Sequence, residues 1–391
     1  MLELLIKLFI KDKDKVGDAV VRRRYGTLCS LWGIVLNLLL FAGKYFAGAI
    51  SGSVAIVADA FNNLSDAGSS VITLLGFAIA GKKPDPDHPY GHGRAEYLTG
   101  LVLSALILVM GFELAKTSFE KILHPQSIEV GILPALILVA SIFVKFYMSS
   151  YNKRIGKRIN SAAMLATSAD SLSDAISTAV VLLSMGVTWL FKINIDAYAG
   201  LAVALFILYA GYGALKDTLS PLLGEAPDAE TVQRVEEIVL AHPEIVGIHD
   251  MIFHDYGPGR SFVSLHAEVD GSGDVFLLHD AIDNAEMELR RELGIHATIH
   301  LDPIDTKNPE LAALREGITG ELHKLCPEAS IHDLRVVPGA THTNVIFDAL
   351  FPMNYEKTDA ECATQLRHIV SGNWPDHFAV VTIDRDYTGK K

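Results

Sequence analysis

Six apolar segments of about 20 residues or more occupy the first 217 residues of the chain. A helix needs about 20 apolar residues to cross the ~30 Å hydrocarbon layer of a membrane. Helices satisfy their own backbone hydrogen bonds, so they can lie in lipid. The pattern therefore predicts a six-helix transmembrane domain. We place its spans at residues 25–48, 54–81, 95–122, 129–151, 160–190 and 195–215.

The charges of the connections between these spans predict how the chain is oriented in the membrane. Lys and Arg are concentrated before the first span, after the second, after the fourth and at the end of the sixth, at Lys216. The connections around Gly52, 124–129 and 192–196 carry almost none. Because basic connections stay in the cytoplasm, we expect a multi-pass protein of the cell membrane with both termini cytoplasmic.

The first ten residues, MLELLIKLFI, are apolar but too short to span a membrane. Acidic and basic residues follow directly, and no small-residue cleavage site is present. We therefore expect an amphipathic helix on the membrane surface rather than a signal peptide. Together with the six spans, this helix makes up the first predicted domain, residues 1–217.

The remaining residues, 218–391, differ in charge from the first 217. They hold 13 Lys and Arg against 30 Asp and Glu, whereas residues 1–217 hold 20 against 16. A cytoplasmic region this acidic attracts cations, and a total charge of −13 argues against a nucleic-acid partner. The sequence contains no nucleophile–base pair, GxSxG, HExxH or P-loop pattern that would indicate an enzyme.

Two of the spans carry carboxylates near their middle. The second contains Asn62 and Asp66, and the fifth contains Asp170 and Asp174, so that each pair is four residues apart. This spacing puts both side chains of a pair on one face of a helix. A carboxylate in the membrane is costly and by default marks an ion pathway or a charged partner. Two such faces turned toward each other would form an all-oxygen cation site. The alternative is polar contact between helices, for which Ser and Thr are more usual.

These acidic segments, with the HPYGHGRAEYL loop and a histidine-bearing tail, indicate a family. The six spans, ADAFNNLSDAGSS and TSADSLSDAIST resemble the cation diffusion facilitator family up to about residue 306. The resemblance implies a homodimeric exporter of divalent metal ions that exchanges metal for protons and has no prosthetic group. It also implies that Asn62, Asp66, Asp170 and Asp174 form the transport site.

The chemistry of these four positions favours one kind of metal. They hold Asn and Asp, whereas zinc-type members of the family carry His in one or both pairs. Carboxylate and amide oxygens suit harder ions such as Mn²⁺, and imidazole suits Zn²⁺. The chain therefore resembles the manganese-type branch, and we expect Mn²⁺ as substrate, with Zn²⁺, Fe²⁺ and Co²⁺ as alternatives. A membrane-anchored metal sensor is an alternative of another class, although a sensor has no need of intramembrane carboxylates.

The connection after the second span, DPDHPYGHGRAEYL, places Asp85, His88 and His92 within eight residues. Asp and His together can ligate an ion of the zinc type, and the family resemblance implies an accessory cytoplasmic site here. The alternative is a turn that directs the third helix, in which Gly91 and Gly93 permit the bend.

Residues 226–306 read as helix, strand, strand, helix, strand. This order predicts an α+β module, similar to the ferredoxin-like cytoplasmic domain through which the family dimerises. We place this second domain at residues 218–306. The resemblance implies a Zn²⁺ or Mn²⁺ site in it, and the alternative is a set of surface histidines on an acidic domain. The implied ligands are His249, His266, His279, His300 and Asp302.

The last predicted domain, residues 307–391, repeats this module weakly. GIHDMIF recurs as SIHDLRV and ATIHLDPID as AVVTIDRDY, at an offset of 81 to 83 residues, as expected of a duplicated domain. His332 and Asp384 keep two of the five ligand positions, but Phe347 replaces His266. We therefore expect a degenerate copy that braces the dimer rather than a second metal site. The predicted fold class is an all-α six-helix membrane domain followed by cytoplasmic α+β ferredoxin-like domains.

Overall fold

The computed structural model of the chain describes residues 2–11, 13–16, 18–51, 54–124, 132–191, 195–339 and 341–387. The chain divides into two compact units. The first unit comprises Met1–Glu225 with Asp255–Arg260, and the second comprises Ala226–His254 with Ser261–Lys391.

The first unit is built of helices. A short helix precedes six that are long and apolar enough to cross a membrane, which confirms the six predicted spans. The predicted connections at Gly52, 124–129 and 192–196 lie wholly or partly outside the described residues. Within the described residues the helices are α1 (Leu2–Phe9), α2 (Ala19–Ser51), α3 (Val54–Ala80), α4 (Ala95–Leu123), α5 (Ile132–Arg158), α6 (Ala162–Phe191) and α7 (Asp196–Leu223).

The long helices pack in pairs, with α2 against α3, α4 against α7, and α5 against α6. Small residues let helices approach closely in membranes. A Cβ atom at Gly100 of α4 would lie 2.6 Å from Thr218 Cγ2 of α7 and 3.3 Å from the backbone nitrogen of Ala163 of α6. A glycine therefore suits this crossing, which brings α6, the helix with two acids, close to α4.

The short helix α1 is amphipathic, as its sequence predicts. Leu2 and Ile6 lie one turn apart and are buried in a cluster with Tyr25 and Ile155, whereas Leu8 is 75% exposed. One face of α1 thus packs on the long helices and the other face is apolar and open. Its position at the membrane surface stays a prediction.

The second unit consists of two α+β modules with the same order of elements, which confirms the predicted fold class. In each module the middle strand of a three-stranded sheet pairs in parallel with the last strand. The first module contains α8 (Ala229–Val239), β1 (Ile245–Asp255), β2 (Ser261–Asp270), α9 (Val275–Glu292) and β3 (His296–Ile304). The second module contains α10 (Pro309–Leu325), β4 (Ser330–Pro338), β5 (Thr343–Pro352), α11 (Asp359–Asn373) and β6 (His377–Asp386).

The middle strands β2 and β5 alternate between buried and more exposed side chains, as strands with one covered face do. Leu265 in β2 and Phe347 in β5 are both fully buried in the cores of their modules. His266 lies on the more exposed face of β2, and the residue on the corresponding face of β5 is Asp348, because Phe347 lies on the buried face. The expected replacement of His266 by Phe347 is therefore wrong. Asp348 occupies that position, because a one-residue slip along a strand exchanges its two faces.

The first strand of each module contains the same backbone irregularity. Asp250 in β1 has a φ of +50° and Asp333 in β4 has a φ of +49°. Each of them directly follows a histidine, His249 or His332. Asp is among the few residues that tolerate this left-handed conformation, and such an irregularity in a strand re-aims the neighbouring side chains. The two histidines thus have similar local backbone geometry in their strands.

Candidate metal sites

Three of the predicted transport-site acids meet inside the membrane domain. Asp66 of α3 and Asp170 and Asp174 of α6 each offer a carboxylate oxygen within 4.8 Å of the other two. Oxygen ligands lie about 2.0–2.6 Å from hard divalent cations, so oxygens on one ion are at most about 5 Å apart. The three carboxylates are therefore close enough to share one ion.

Lys145 of α5 lies among these acids, and the sequence analysis did not assign it to the site. Its Nζ donates to Asp66 Oδ2 at 2.5 Å and to Asp174 Oδ2 at 2.6 Å, and the side chain is only 3% exposed. A lysine inside an apolar span is costly unless it has a partner. That rule, applied to the segment SIFVKFYMSS, could have placed Lys145 at the carboxylates.

Asn62, the fourth predicted member of the transport site, lies one turn before Asp66 on α3. Its side chain is exposed, whereas the neighbouring Asn63 is only 2% exposed. The role of Asn62 as a ligand stays a prediction, and Asn63 is a second amide on the same turn.

Hydroxyl pairs hold the helices together beside the acids. Thr73 of α3 contacts Thr167 of α6 with 3.2 Å between their Oγ1 atoms, and Ser149 of α5 contacts Ser168 of α6 at 3.1 Å. Ser and Thr thus make polar contacts between these helices, in addition to the ion pairs of Lys145 with Asp66 and Asp174.

The loop between α3 and α4 brings Asp85, His88 and His92 together. Their ligand atoms lie within 4.8 Å of one another, and the two imidazole rings are 4.4 Å apart. Asp85 Oδ1 also accepts a hydrogen bond from the backbone N–H of His88 at 2.7 Å, and this bond lowers the pKa of the Asp85 carboxyl. The loop therefore has both features expected of it, a side-chain-stabilised turn and a cluster with the chemistry of a metal site.

Four of the five predicted ligands of the first cytoplasmic module lie together on its three-stranded sheet. Asp302 Oδ2 lies 2.7 Å from His266 Nδ1 and 3.2 Å from His249 Nε2, and Asp302 Oδ1 lies 3.3 Å from His300 Nε2. Burial lowers the pKa of His249, but Asp250 and Asp302 outweigh it and leave that pKa above its usual value. This is the charge distribution of a cation site.

His279, the fifth predicted ligand, lies apart from the other four in the described residues. It is on α9, its side chain is 70% exposed, and its Nδ1 is 3.7 Å from Asp283 Oδ2. The sequence around His279 gives no indication of this separation, because the distance between a helix and a strand depends on how they pack.

Asp250 is a further acid of this region that the sequence analysis did not assign. Contact with the rings of His249 and then His332 holds the pKa of Asp250 well below its usual range. Asp384 lies in the same region, where burial and then the charge of Asp250 raise its pKa. The duplicated segment HD at 249–250 and 332–333 was the signal that could have drawn attention to these side chains.

The chain matches two domains of known proteins in order. Residues 30–223 match the cation efflux transmembrane domain, and residues 227–304 match the cytoplasmic domain of cation efflux proteins. The two matches cover the first unit and the first cytoplasmic module, and the second module follows them.

Proteins from archaea and bacteria are similar over the same region. An uncharacterized transporter of Methanocaldococcus jannaschii is 33% identical over 278 residues, which is 70% of this chain and 96% of that protein. The cation-efflux pump FieF of Pectobacterium atrosepticum is 29% identical over 286 residues, 72% of this chain and 94% of the pump. FieF of Escherichia coli is 28% identical over 287 residues, 72% of this chain and 95% of the pump. We conclude that the chain belongs to the cation efflux family, the cation diffusion facilitators, and is a transporter.

Proposed function

We propose that the protein exports Mn²⁺ from the cytoplasm in exchange for protons. The observation that supports this most is the composition of the intramembrane cluster, which holds Asp66, Asp170 and Asp174. An all-carboxylate site favours hard cations over Zn²⁺, which His and Cys ligands would favour. Metal binds the ionised carboxylates and protons bind the same groups, so the two compete for one site.

Lys145 adds a step to this exchange. Its ammonium contacts one oxygen of Asp66 and one of Asp174, two of the three carboxylates that would hold an ion. An arriving Mn²⁺ therefore competes with Lys145 for these carboxylates. When the ion leaves, Lys145 returns and the site keeps a positive partner without a metal. Lys145 thus acts as a tethered competitor that favours release.

The assembly we propose is a homodimer with both termini in the cytoplasm of the cell. The cytoplasmic family match supports the dimer, and the basic connections support the orientation. We further propose that residues 307–391 are a second copy of the cytoplasmic module. The shared element order, the corresponding strand faces of His266 and Asp348, and the paired positive φ values of Asp250 and Asp333 support the duplication.

Two alternatives have specific support. Export of Zn²⁺, Fe²⁺ or Co²⁺ by the same site is favoured by the affinity order of divalent metals, which puts Mn²⁺ lowest among them. A membrane-anchored sensor is favoured by the histidine clusters of the tail. The carboxylates buried in the membrane favour transport over sensing.

Flux measurements with the full-length protein in liposomes distinguish these functions. Mn²⁺, Zn²⁺, Fe²⁺ and Co²⁺ are offered separately with an imposed pH gradient, and uptake is followed with and without the gradient. We expect Mn²⁺ flux that rises with the gradient and is lost in Asp174→Asn but kept in Asp217→Asn, which changes an exposed acid of α7. Flux of Zn²⁺ alone would contradict the metal assignment, and a wild-type protein without flux of any metal would favour the sensor.

A further inference from the structure

We propose that the two cytoplasmic modules of one chain share a second metal site at their junction, with the chemistry of a Zn²⁺ site. Its ligands are His249 and Asp250 from the first module and His332 from the second. The proposal is independent of the transported ion and of the membrane site, because it concerns the cytoplasmic unit alone.

The junction places side chains of both modules in direct contact. The rings of His249 and His332 stack with their centroids 4.4 Å apart. Ligand atoms of His249, Asp250 and His332 all lie within 4.8 Å of one another. His332 Nε2 is 3.4 Å from Asp250 Oδ1 and 3.5 Å from Asp384 Oδ2. Two imidazoles and one carboxylate, those of His249, His332 and Asp250, therefore surround one small volume, with Asp384 next to His332.

The spacing of these atoms fits tetrahedral coordination. Zinc lies about 2.0–2.2 Å from His nitrogen and Asp oxygen, so two ligand atoms of a tetrahedral site are about 3.4 Å apart. The contact of His332 Nε2 with Asp250 Oδ1 is 3.4 Å, and His249 Nδ1 is 3.3 Å from Asp250 Oδ2. A set of two nitrogens and one oxygen, with the fourth position open, suits zinc-like ions better than hard ions.

The histidine side chains of the junction are also buried. The His332 side chain is 9% exposed and the His249 side chain is 6% exposed. Nε2 of His332 and both ring nitrogens of His249 are buried without a hydrogen bond of acceptable geometry. Buried polar atoms are nearly always satisfied, and an exception calls for an explanation such as an ion. Surface histidines would not show this burial.

His249 connects this site to the cluster of the first module. Its Nε2 faces Asp302 at 3.2 Å and its Nδ1 faces Asp250 at 3.3 Å. A neutral imidazole offers one unprotonated nitrogen, so His249 ligates an ion on one side while it donates a proton on the other. Occupancy of one site therefore changes what His249 offers to the other. Asp250 and His332 belong to the junction and not to the cluster of His249, His266 and Asp302, which makes them the residues to change.

Zinc binding to the purified full-length chain tests the proposal. The protein is dialysed to equilibrium against buffered Zn²⁺, and bound zinc per chain is measured by mass spectrometry of the metal. We expect His332→Ala and Asp250→Asn each to bind one Zn²⁺ fewer than wild type. The matched control is His368→Ala, which removes an exposed histidine of α11 and should bind as much zinc as wild type.

A second measurement separates lost binding from lost folding. Zinc should raise the thermal unfolding temperature of the cytoplasmic unit in wild type and in His368→Ala, but less in Asp250→Asn. Asp250→Asn keeps the shape of the side chain, so it decides the case if His332→Ala does not fold. Zinc binding and zinc-induced stabilisation equal to wild type in Asp250→Asn and His332→Ala would overturn the proposal.

Discussion

The ammonium of Lys145 lies 2.5 Å from Asp66 Oδ2 in the membrane domain, and it is buried there at 3% exposure. The ion pair gives this carboxylate a positive partner. A buried charge that loses its partner is strongly destabilising. In the proposed exchange, Lys145, the transported ion and protons therefore replace one another as positive partners of the carboxylates.

The first prediction concerns this exchange. Replacing Lys145 by Met removes the competitor, so Mn²⁺ should bind at least about 10-fold more tightly, since one hydrogen bond to a charged group contributes about 1.5–3 kcal/mol. Turnover should fall because the metal has no replacement when it leaves. Concentration dependence of Mn²⁺ flux in liposomes gives both quantities. Lys153→Met, at an exposed position of α5, is the control, and unchanged or weaker Mn²⁺ affinity in Lys145→Met would refute the role.

The second prediction concerns metal preference. Asp170→His exchanges one oxygen ligand for an imidazole nitrogen and should shift the ratio of Zn²⁺ to Mn²⁺ flux upward by about 10-fold or more, because imidazole suits Zn²⁺. The ratio is measured in competition, with both metals present in the same liposomes. Asp217→His adds a histidine outside the site and should leave the ratio as in wild type. An unaltered ratio in Asp170→His would mean that Asp170 is not a ligand.

The third prediction concerns pH and the metal-free tail. The pKa of Asp250 lies below its usual range, so its stabilising effect is complete above about pH 3.9 and is lost as the pH falls through the lowered value. The pKa of His249 lies above its usual value, so its effect is complete below about pH 6.5 and is lost as the pH rises through the raised value. The stabilising effects of Asp250 and His249 are therefore both complete between about pH 3.9 and about pH 6.5.

Asp250→Asn should therefore destabilise the chelated protein most at pH 5 to 6 and less at pH 8. The expected difference at pH 5 to 6 is about 0.2–1 kcal/mol, because water reaches the Asp250 carboxylate and screens the pair. Thermal unfolding in chelator across this pH range measures it. A difference that grows toward pH 8 would contradict the assignment of the pair.

The fourth prediction concerns the register of the second module. Phe347 is fully buried, so Phe347→Ala should lower the free energy of unfolding of the cytoplasmic unit by about 3–5 kcal/mol. Asp348→Asn, at the adjacent position on the other face, should change it by less than about 1 kcal/mol. Chemical denaturation of both variants decides between the two alignments. If Asp348→Asn lowers the free energy of unfolding more than Phe347→Ala does, Phe347 corresponds to His266, as first expected from the sequence.

The membrane part of the fold could be predicted because one physical requirement dominates it. A span must be long and apolar, so hydropathy predicted all six spans. A carboxylate inside a span is costly unless it has a function or a partner, so Asp66, Asp170 and Asp174 could be selected. Lys145 was missed although the same rule applied to it. Its partners lie on other helices, and only their packing shows which charges meet.

The cytoplasmic part was predictable in its order of elements and less so in its contacts. The strand periodicity gave the α+β modules, but an alignment that slipped by one residue put Phe347 where Asp348 lies. His279 was grouped with strand residues that it does not contact within the described residues. The junction of His249 with His332 depends on how two modules pack, and nothing local in either segment encodes it.

The position of Lys145 also has an electrical consequence. With Asp66, Asp170 and Asp174 ionised and Lys145 charged, the four side chains carry a net charge of −2, which one divalent ion or two protons would neutralise. Moving one elementary charge across 100 mV changes the energy by about 2.3 kcal/mol. If the site has zero net charge when its access changes from one side of the membrane to the other, the membrane potential does not change the energy of that step. If Lys145 keeps its charge throughout, two protons return for each metal ion, and the membrane potential neither drives nor opposes the exchange.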